Sequence, residues 1–186
     1  MSITAYSVHA GSEALGATPE ATYARFLDHV GRLGELCRAR GIRLGVETMY
    51  PAGAESSNQY LLQNAVQVER FLQAMPDIDL VLDLAYLNLW KTETTLEKLH
   101  LLRLAGDAPV AGAATPRLLE IHLSDNDGCR DSHTTITDHT WWVPYVAMFP
   151  PHVPLILESR MNHQSVEQVR QQIAMTQSRL HMGVSR

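Results

Sequence analysis

The sequence predicts an α/β fold with a parallel sheet of five βα units, and three observations carry that reading. Short leucine-rich or β-branched runs alternate with longer segments whose apolar residues recur every three or four positions, the rhythm of strands joined by crossover helices. A metal-capable side chain closes each apolar run: His9, Glu47, Asp83, His122 and Glu158. These five lie 38, 36, 39 and 36 positions apart, a period that suits one βα unit of roughly 30 or more residues.

Residues 5–9 read as a strand that runs into the turn Ala10-Gly11-Ser12. Thr18 is placed to cap a helix, with Pro19 at its first position and Glu20 in its first turn. Tyr23, Phe26, Leu27, Val30, Leu33 and Cys37 make its apolar face, and Gly41 stops it. Residues 42–47 (IRLGVE) form the second strand and 50–57 a polar loop. Leu61, Leu62, Ala65, Val68, Leu72 and Met75 mark the second helix, which Pro76 ends. Residues 78–83 (IDLVLD) are the third strand, and Leu96, Leu99, Leu102 and Leu104 sit in the third helix. A Gly/Ala/Pro-rich connector over 106–116 leads to the fourth strand, 118–123. A long polar loop spans 124–140, a short helix is expected over 141–149, and 153–158 (VPLILE) is the last strand. Ser165 and Gln168 form a capping box for a final helix with Val166, Val169, Ile173 and Leu180 on its apolar face.

The 186 residues suit one domain over 1–186, and 45% hydrophobic against 19% charged residues places the chain among globular proteins that bury a core. The net charge is −5 and the only lysines are Lys91 and Lys98, which argues against broad binding of a phosphate backbone. No apolar run approaches the roughly 20 residues of a membrane span. The start MSITAYSVHA has no basic-then-apolar signal design, and Cys37 and Cys129 give neither a disulfide framework nor a CxxC pair. A cytoplasmic protein is expected.

In parallel α/β folds the C-terminal ends of the strands share one crevice, where active sites lie. A single Asp or Glu there is ordinarily a solvated loop residue or a helix cap, and a single His a hydrogen-bonded structural residue. Five at near-constant period point instead to a site, and ionised groups directly after such apolar runs are costly to bury without partners or a cation. Carboxylates with imidazole suit one divalent ion: Mn, Zn, Co, Mg or Fe.

The segments SVHAGS, LGVET, LVLDLAY, LEIHLSDND, RDSH and PLILES resemble, in order, motifs of the xylose-isomerase-like TIM-barrel superfamily. That group holds sugar isomerases and epimerases, hydroxypyruvate-isomerase-like enzymes and zinc-dependent apurinic-site endonucleases. The resemblance implies a TIM-type (β/α) barrel that is incomplete here: the motifs match the later strands, and the first three units are expected to be missing, since a full barrel takes about 250 residues. Two open sheet edges would result, and with them a homo-oligomer.

The resemblance further implies that Glu47, Asp83, His122 and Glu158 hold the metal and that His9 stands beside it. Asp131 and His133 match a pair that the endonucleases use for a further zinc, a possible second metal site. Tyr86 stands where those nucleases carry a histidine ligand, and the glycine-rich GxG segment common after the Asp-x-His region is absent.

The implied activity is a metal-dependent isomerase or epimerase of a small sugar or hydroxycarbonyl compound that works through an enediolate, with Glu47 and Glu158 exchanging the proton. Arg160 is placed to hold a carboxylate or phosphate, and His133 to contact substrate, although a solvated loop histidine is the ordinary reading. Two alternatives stand beside it: a zinc-dependent nuclease at abasic sites, and a non-catalytic metal-binding remnant of the barrel. Trp141, Trp142, Trp90 and Tyr86 are expected mainly in packing or at the rim. His29, His100, His152, His163 and His181 are read as surface residues.

Overall fold

A computed structural model describes residues 3–13, 16–52, 59–106 and 117–184. Five parallel strands lie in sequential order: β1 (Ala5–His9), β2 (Arg43–Glu47), β3 (Asp79–Asp83), β4 (Leu118–Leu123) and β5 (Leu155–Leu157). They curl into a half-barrel. The helices are α1 (Pro19–Arg38), α2 (Ala65–Ala74), α3 (Leu84–Leu89), α4 (Thr95–Gly106) and α5 (Val166–Val184), with a 3-10 helix at Val143–Met148. The sequence-predicted α/β barrel type is therefore present. Parts of the loop expected over 50–57 and nearly all of the connector over 106–116 lie outside the described residues.

Local chemistry explains most of the boundaries. Thr18 Oγ1 accepts from the Ala21 N–H at 3.2 Å and so caps α1. Tyr23, Phe26, Val30 and Cys37 are its buried line. At Gly41, φ is +68°, the left-handed turn that lets the chain reverse from α1 into β2. The capping box at Ser165 and Gln168 forms in both directions, at 2.8 and 3.3 Å.

Four expectations need correction. The second helix starts at Ala65 rather than near Leu61, because Asn64 Oδ1 accepts from Gln67 N at 2.9 Å and sets the cap; Leu61 and Leu62 precede it, and Leu62 is buried with φ +56°. An additional short helix, α3, comes directly after Asp83. The last strand is three residues, not six. On α5, Val166 and Ile173 are exposed, while Leu180 packs against the core and Thr176 and Arg179 are buried; Arg179 Nε donates to Asp138 Oδ1 at 2.8 Å, so the inward side is partly polar and takes up only part of the expected apolar face.

Two faces of the sheet are distinct. Leu44, Val46, Leu80, Leu82, Leu118, Ile121 and Leu123 point toward the helices and join the main hydrophobic cluster. Gly45, Val81 and Leu119 instead floor the concave side: a methyl at Gly45 would come within 2.7 Å of both Val81 and Leu119. Leu119 is an extra residue on β4, since Leu80 pairs with Leu118 while Val81 pairs with Glu120. Side chains alternate along a strand, so this insertion switches the facing of the residues after it and turns Glu120 and His122 to the concave side, level with Asp83.

Gly45→Ala is expected to destabilise the protein by about 1–3 kcal/mol through overpacking against Val81 and Leu119. Urea denaturation followed by far-UV circular dichroism measures it; an unchanged midpoint would show that the floor yields easily.

Candidate metal centre

All five residues singled out at the strand ends arrive at one edge of the sheet. β1–β2 pairing sets His9 beside Glu47, and β3–β4 pairing sets Asp83 beside His122. Glu158 comes just after β5, where its N–H donates to Leu123 O at 3.0 Å. Glu47, Asp83, His122 and Glu158 each bring one potential ligand atom to within 4.8 Å of the other three. His122 Nδ1 stands 3.3 Å from Glu47 Oε1 and 3.3 Å from Glu158 Oε2. His9 is more peripheral: its Nε2 lies 3.2 Å from Glu47 Oε2, and its side chain is 59% exposed.

Asp83 does two jobs. Its Oδ1 accepts from the Tyr86 N–H at 2.8 Å and caps α3. Its Oδ2 is buried, within a residue that is 0% exposed, and has no hydrogen-bond partner. A carboxylate oxygen orphaned in this way is costly, and it belongs to the group of four. A divalent cation fits: ligands about 2.1 Å from a shared ion stand roughly 3–3.4 Å apart, the spacing seen around His122 Nδ1.

The charges in this cluster hold one another in unusual states. Burial pushes Glu47 upward, but hydrogen bonds and charge from His122 and His9 outweigh it and leave the carboxyl at about 2. Burial lowers His122, and Glu120, Glu158 and Glu47 more than reverse this, to about 12. Asp83 is raised to about 8 by burial, with the negative charges of Glu47 and Glu158 adding to it against the Tyr86 N–H. In the absence of a cation, then, His122 is the positive centre of the cluster and Asp83 holds its proton past neutrality.

A second chain of contacts rims the site. The loop after β4 folds back through paired bonds between Asp125 and Thr134, at 3.0 and 2.7 Å. That brings His133, with φ +45°, over Asp83. His133 is buried, contrary to the expectation of a solvated loop histidine: Ser124 Oγ is 2.9 Å from its Nδ1, and Asp131 Oδ1 and Asp83 Oδ2 are 2.9 and 3.9 Å from its Nε2. Arg160 lies exposed at the rim, 3.7 Å from Asp131 Oδ2, and its N–H donates to His133 O at 2.7 Å. Asp131 and His133 do not extend the group of four or form another group of three or more among the described residues.

Tyr86 packs edge-on against His133 at 5.3 Å and stacks near Tyr50, itself 5.2 Å from Tyr60. An open cleft of about 350 Å³ is lined by His9, Tyr86, His133, Glu158 and Arg160. A roomier hollow of about 400 Å³ opens on the far side of His9, against α1, and contains none of the four clustered residues.

Trp141, Trp142 and Trp90 are packing residues: their indole N–H groups donate to Leu84 O, Ser124 O and Met49 O at 2.9, 3.1 and 2.8 Å. His29, His100, His152, His163 and His181 are exposed. Sequence reasoning missed Glu120, whose Oε1 lies 3.2 Å from His122 Nε2. Its position two residues before His122 on a strand was the available signal. No helix among the described residues is long and apolar enough to cross a membrane.

The family model for the xylose isomerase-like TIM barrel matches residues 1–178. The chain belongs to that family. Solved structures of similar fold include a xylose isomerase domain protein from Alicyclobacillus acidocaldarius subsp. acidocaldarius, at TM-score 0.72 and 10% identity over 96% of this chain and 64% of that one. The 3-keto-D-glucoside 4-epimerase of E. coli gives 0.67 and 12%, over 92% and 63%. D-allulose 3-epimerase from Methylomonas sp. gives 0.59 and 15%, over 88% and 51%. The chain thus spans between half and two thirds of the length of these relatives. No curated protein matches it in sequence.

The proton on Asp83 yields a test within this family scaffold. A carboxyl at about 8 when folded and near its ordinary 3.8 when unfolded contributes stability that is lost as pH rises between those values. Asp83→Asn keeps the cap acceptor and has no proton to lose. In metal-free protein, the variant's advantage in Tm over the wild type is therefore expected to widen by several degrees from pH 5 to pH 8. A difference that stays constant with pH would overturn this assignment.

Proposed function

We propose that the chain is a divalent-metal-dependent isomerase or epimerase of a small sugar or hydroxycarbonyl compound. The single observation that carries the reading is the buried Oδ2 of Asp83, which has no hydrogen-bond partner, within a group of three carboxylates and one imidazole at the C-terminal edge of a barrel sheet. Membership of the xylose isomerase-like family supports it, as do fold relatives whose names are those of sugar epimerases.

Glu47, Asp83, His122 and Glu158 would hold the cation. A bound divalent ion supplies Lewis-acid polarisation of a carbonyl and its neighbouring hydroxyl, and offsets the negative charge that grows when a proton leaves the adjacent carbon. Glu47 and Glu158 approach the site from β2 and from the end of β5, on either side of His122 Nδ1. One is placed to remove the proton from a substrate carbon and the other to return one. Glu47 is held ionised by His122 and His9, whereas Glu158, with 36% of its side chain exposed, reaches into the open cleft. Arg160 would pair with an anionic or hydroxyl-rich end of the substrate. His133, braced by Ser124, and Tyr86 would wall the other side.

The nuclease alternative draws on Asp131 and His133 as ligands to a second ion. Those two side chains are engaged with each other and with Arg160 and Ser124, and Tyr86 fills the neighbouring position. The isomerase reading uses every member of the group of four. In the half-barrel, β1 and β5 are the edges of the sheet, and Ile3, Tyr6 and Leu36 are exposed beside β1. A homo-oligomer that covers such an edge is part of the proposal; light scattering that gives only a monomer would remove it.

Elemental mass spectrometry of protein purified without added metal is expected to find about one Mn, Co, Zn, Mg or Fe per chain, and much less in Glu158→Gln. With the metal supplied, exchange of solvent deuterium into a panel of ketoses and hydroxycarbonyl acids should fall ~10²–10⁴-fold in Glu47→Gln. Protein that takes up no metal would end the catalytic reading; metal at full occupancy without exchange on any substrate would favour the non-catalytic remnant.

A further inference from the structure

We propose that Glu120 is a positioning residue that selects which nitrogen of His122 serves the metal; the inference rests on the metal reading above. The two ring nitrogens face different surroundings. Nδ1 looks into the cluster, 3.3 Å from Glu47 Oε1 and 3.3 Å from Glu158 Oε2. Nε2 looks away from it, 3.2 Å from Glu120 Oε1. A histidine ligand is neutral, so one nitrogen must be bare and the other must keep its proton. At Nδ1 a cation and an N–H would compete for the same place. At Nε2 the Glu120 carboxylate accepts the proton's hydrogen bond and keeps it there, which leaves Nδ1 as the donor lone pair.

Glu120 is itself held in place. It is a half-buried side chain, 17% exposed, and its carboxyl is held below the usual range chiefly by His122, with the Ser7 hydroxyl on β1 adding to this. The contact of Glu120 with His122 lies on the concave face of the sheet. It does not touch the cleft lined by His9, Tyr86, His133, Glu158 and Arg160. Glu120 is therefore not placed to meet substrate, and its effect would pass through the orientation and basicity of His122. The extra residue at Leu119 is the reason Glu120 has this facing, since Glu120 pairs with Val81 on the concave side.

The test reads zinc binding and the state of the imidazole, not turnover. Zn²⁺ affinity is measured by calorimetry on the wild type, Glu120→Ala and Glu120→Gln. Two-bond ¹H–¹⁵N spectra of zinc-loaded, histidine-labelled protein report the protonated nitrogen, with His122→Asn assigning the resonance. The wild type is expected to bind Zn²⁺ through Nδ1 with the proton on Nε2. Glu120→Ala should bind ~10–100-fold more weakly. Glu120→Gln keeps the shape and an acceptor oxygen without the charge, and should show a smaller but several-fold loss; it decides the matter if Glu120→Ala does not fold. Wild-type affinity in either variant, or zinc on Nε2, would overturn the role of Glu120 and leave the metal centre standing. A wild type that binds no Zn²⁺ would overturn both, and that outcome is read before any Glu120 variant is made.

Discussion

The arrangement depends on the electrostatic cost of bringing Glu47, Asp83 and Glu158 together at a largely dehydrated sheet edge. Like charges at this spacing repel strongly where water is excluded. In the metal-free molecule the repulsion is met from within: His122 carries a positive charge among the carboxylates, and Asp83 keeps its proton. A divalent cation would do the same work with more charge at a single point, and it would release protons as it entered. Buried charge thus connects the folding of the sheet to its chemistry. The strands could pack more cheaply with apolar residues at these positions, and would then have no site.

Asp83 shows how closely the two are joined. Its position at the end of β3 reflects an apolar run that must stop at the sheet edge, and one of its oxygens starts α3. Tyr86, the residue whose N–H that oxygen accepts, is also the ring that packs against His133. The ligand, the helix start and the aromatic wall are therefore three aspects of one short stretch, 83–86. The loop after β4 adds a separate layer above it, where Ser124, Asp131 and Arg160 hold His133 in a backbone conformation that residues other than glycine seldom adopt.

Strand order and the five strand-end residues were legible because both depend on periodicity, which sequence displays directly. Caps were legible where the motif is local, at Thr18 and at Ser165 with Gln168. The start of α2 was missed because Leu61 and Leu62 extend the apolar spacing past the true cap, Asn64. α3 is too short to show helical periodicity, and its cap was already read as a strand-end carboxylate. The facing of α5 could not be seen from apolar spacing alone, since the buried Arg179, paired with an exposed Asp138, shares the inward side with Thr176. Burial of His133 and the contact of Glu120 with His122 depend on how a loop folds back and where a strand gains a residue, and neither leaves a periodic trace.

The added residue on β4 gives the centre an all-or-none character. A strand cannot rotate a side chain part of the way to the other face: one residue more or fewer moves His122 from the concave side to the layer beneath the helices. A gene for this chain that lost the single codon for Leu119 would still encode the same apolar strand and the same five metal-capable residues. Their count and chemistry would look intact to any inspection of composition, yet the imidazole would point into hydrocarbon. Within such a lineage, the length of one strand segment would tell more about retained chemistry than the presence of the ligands themselves.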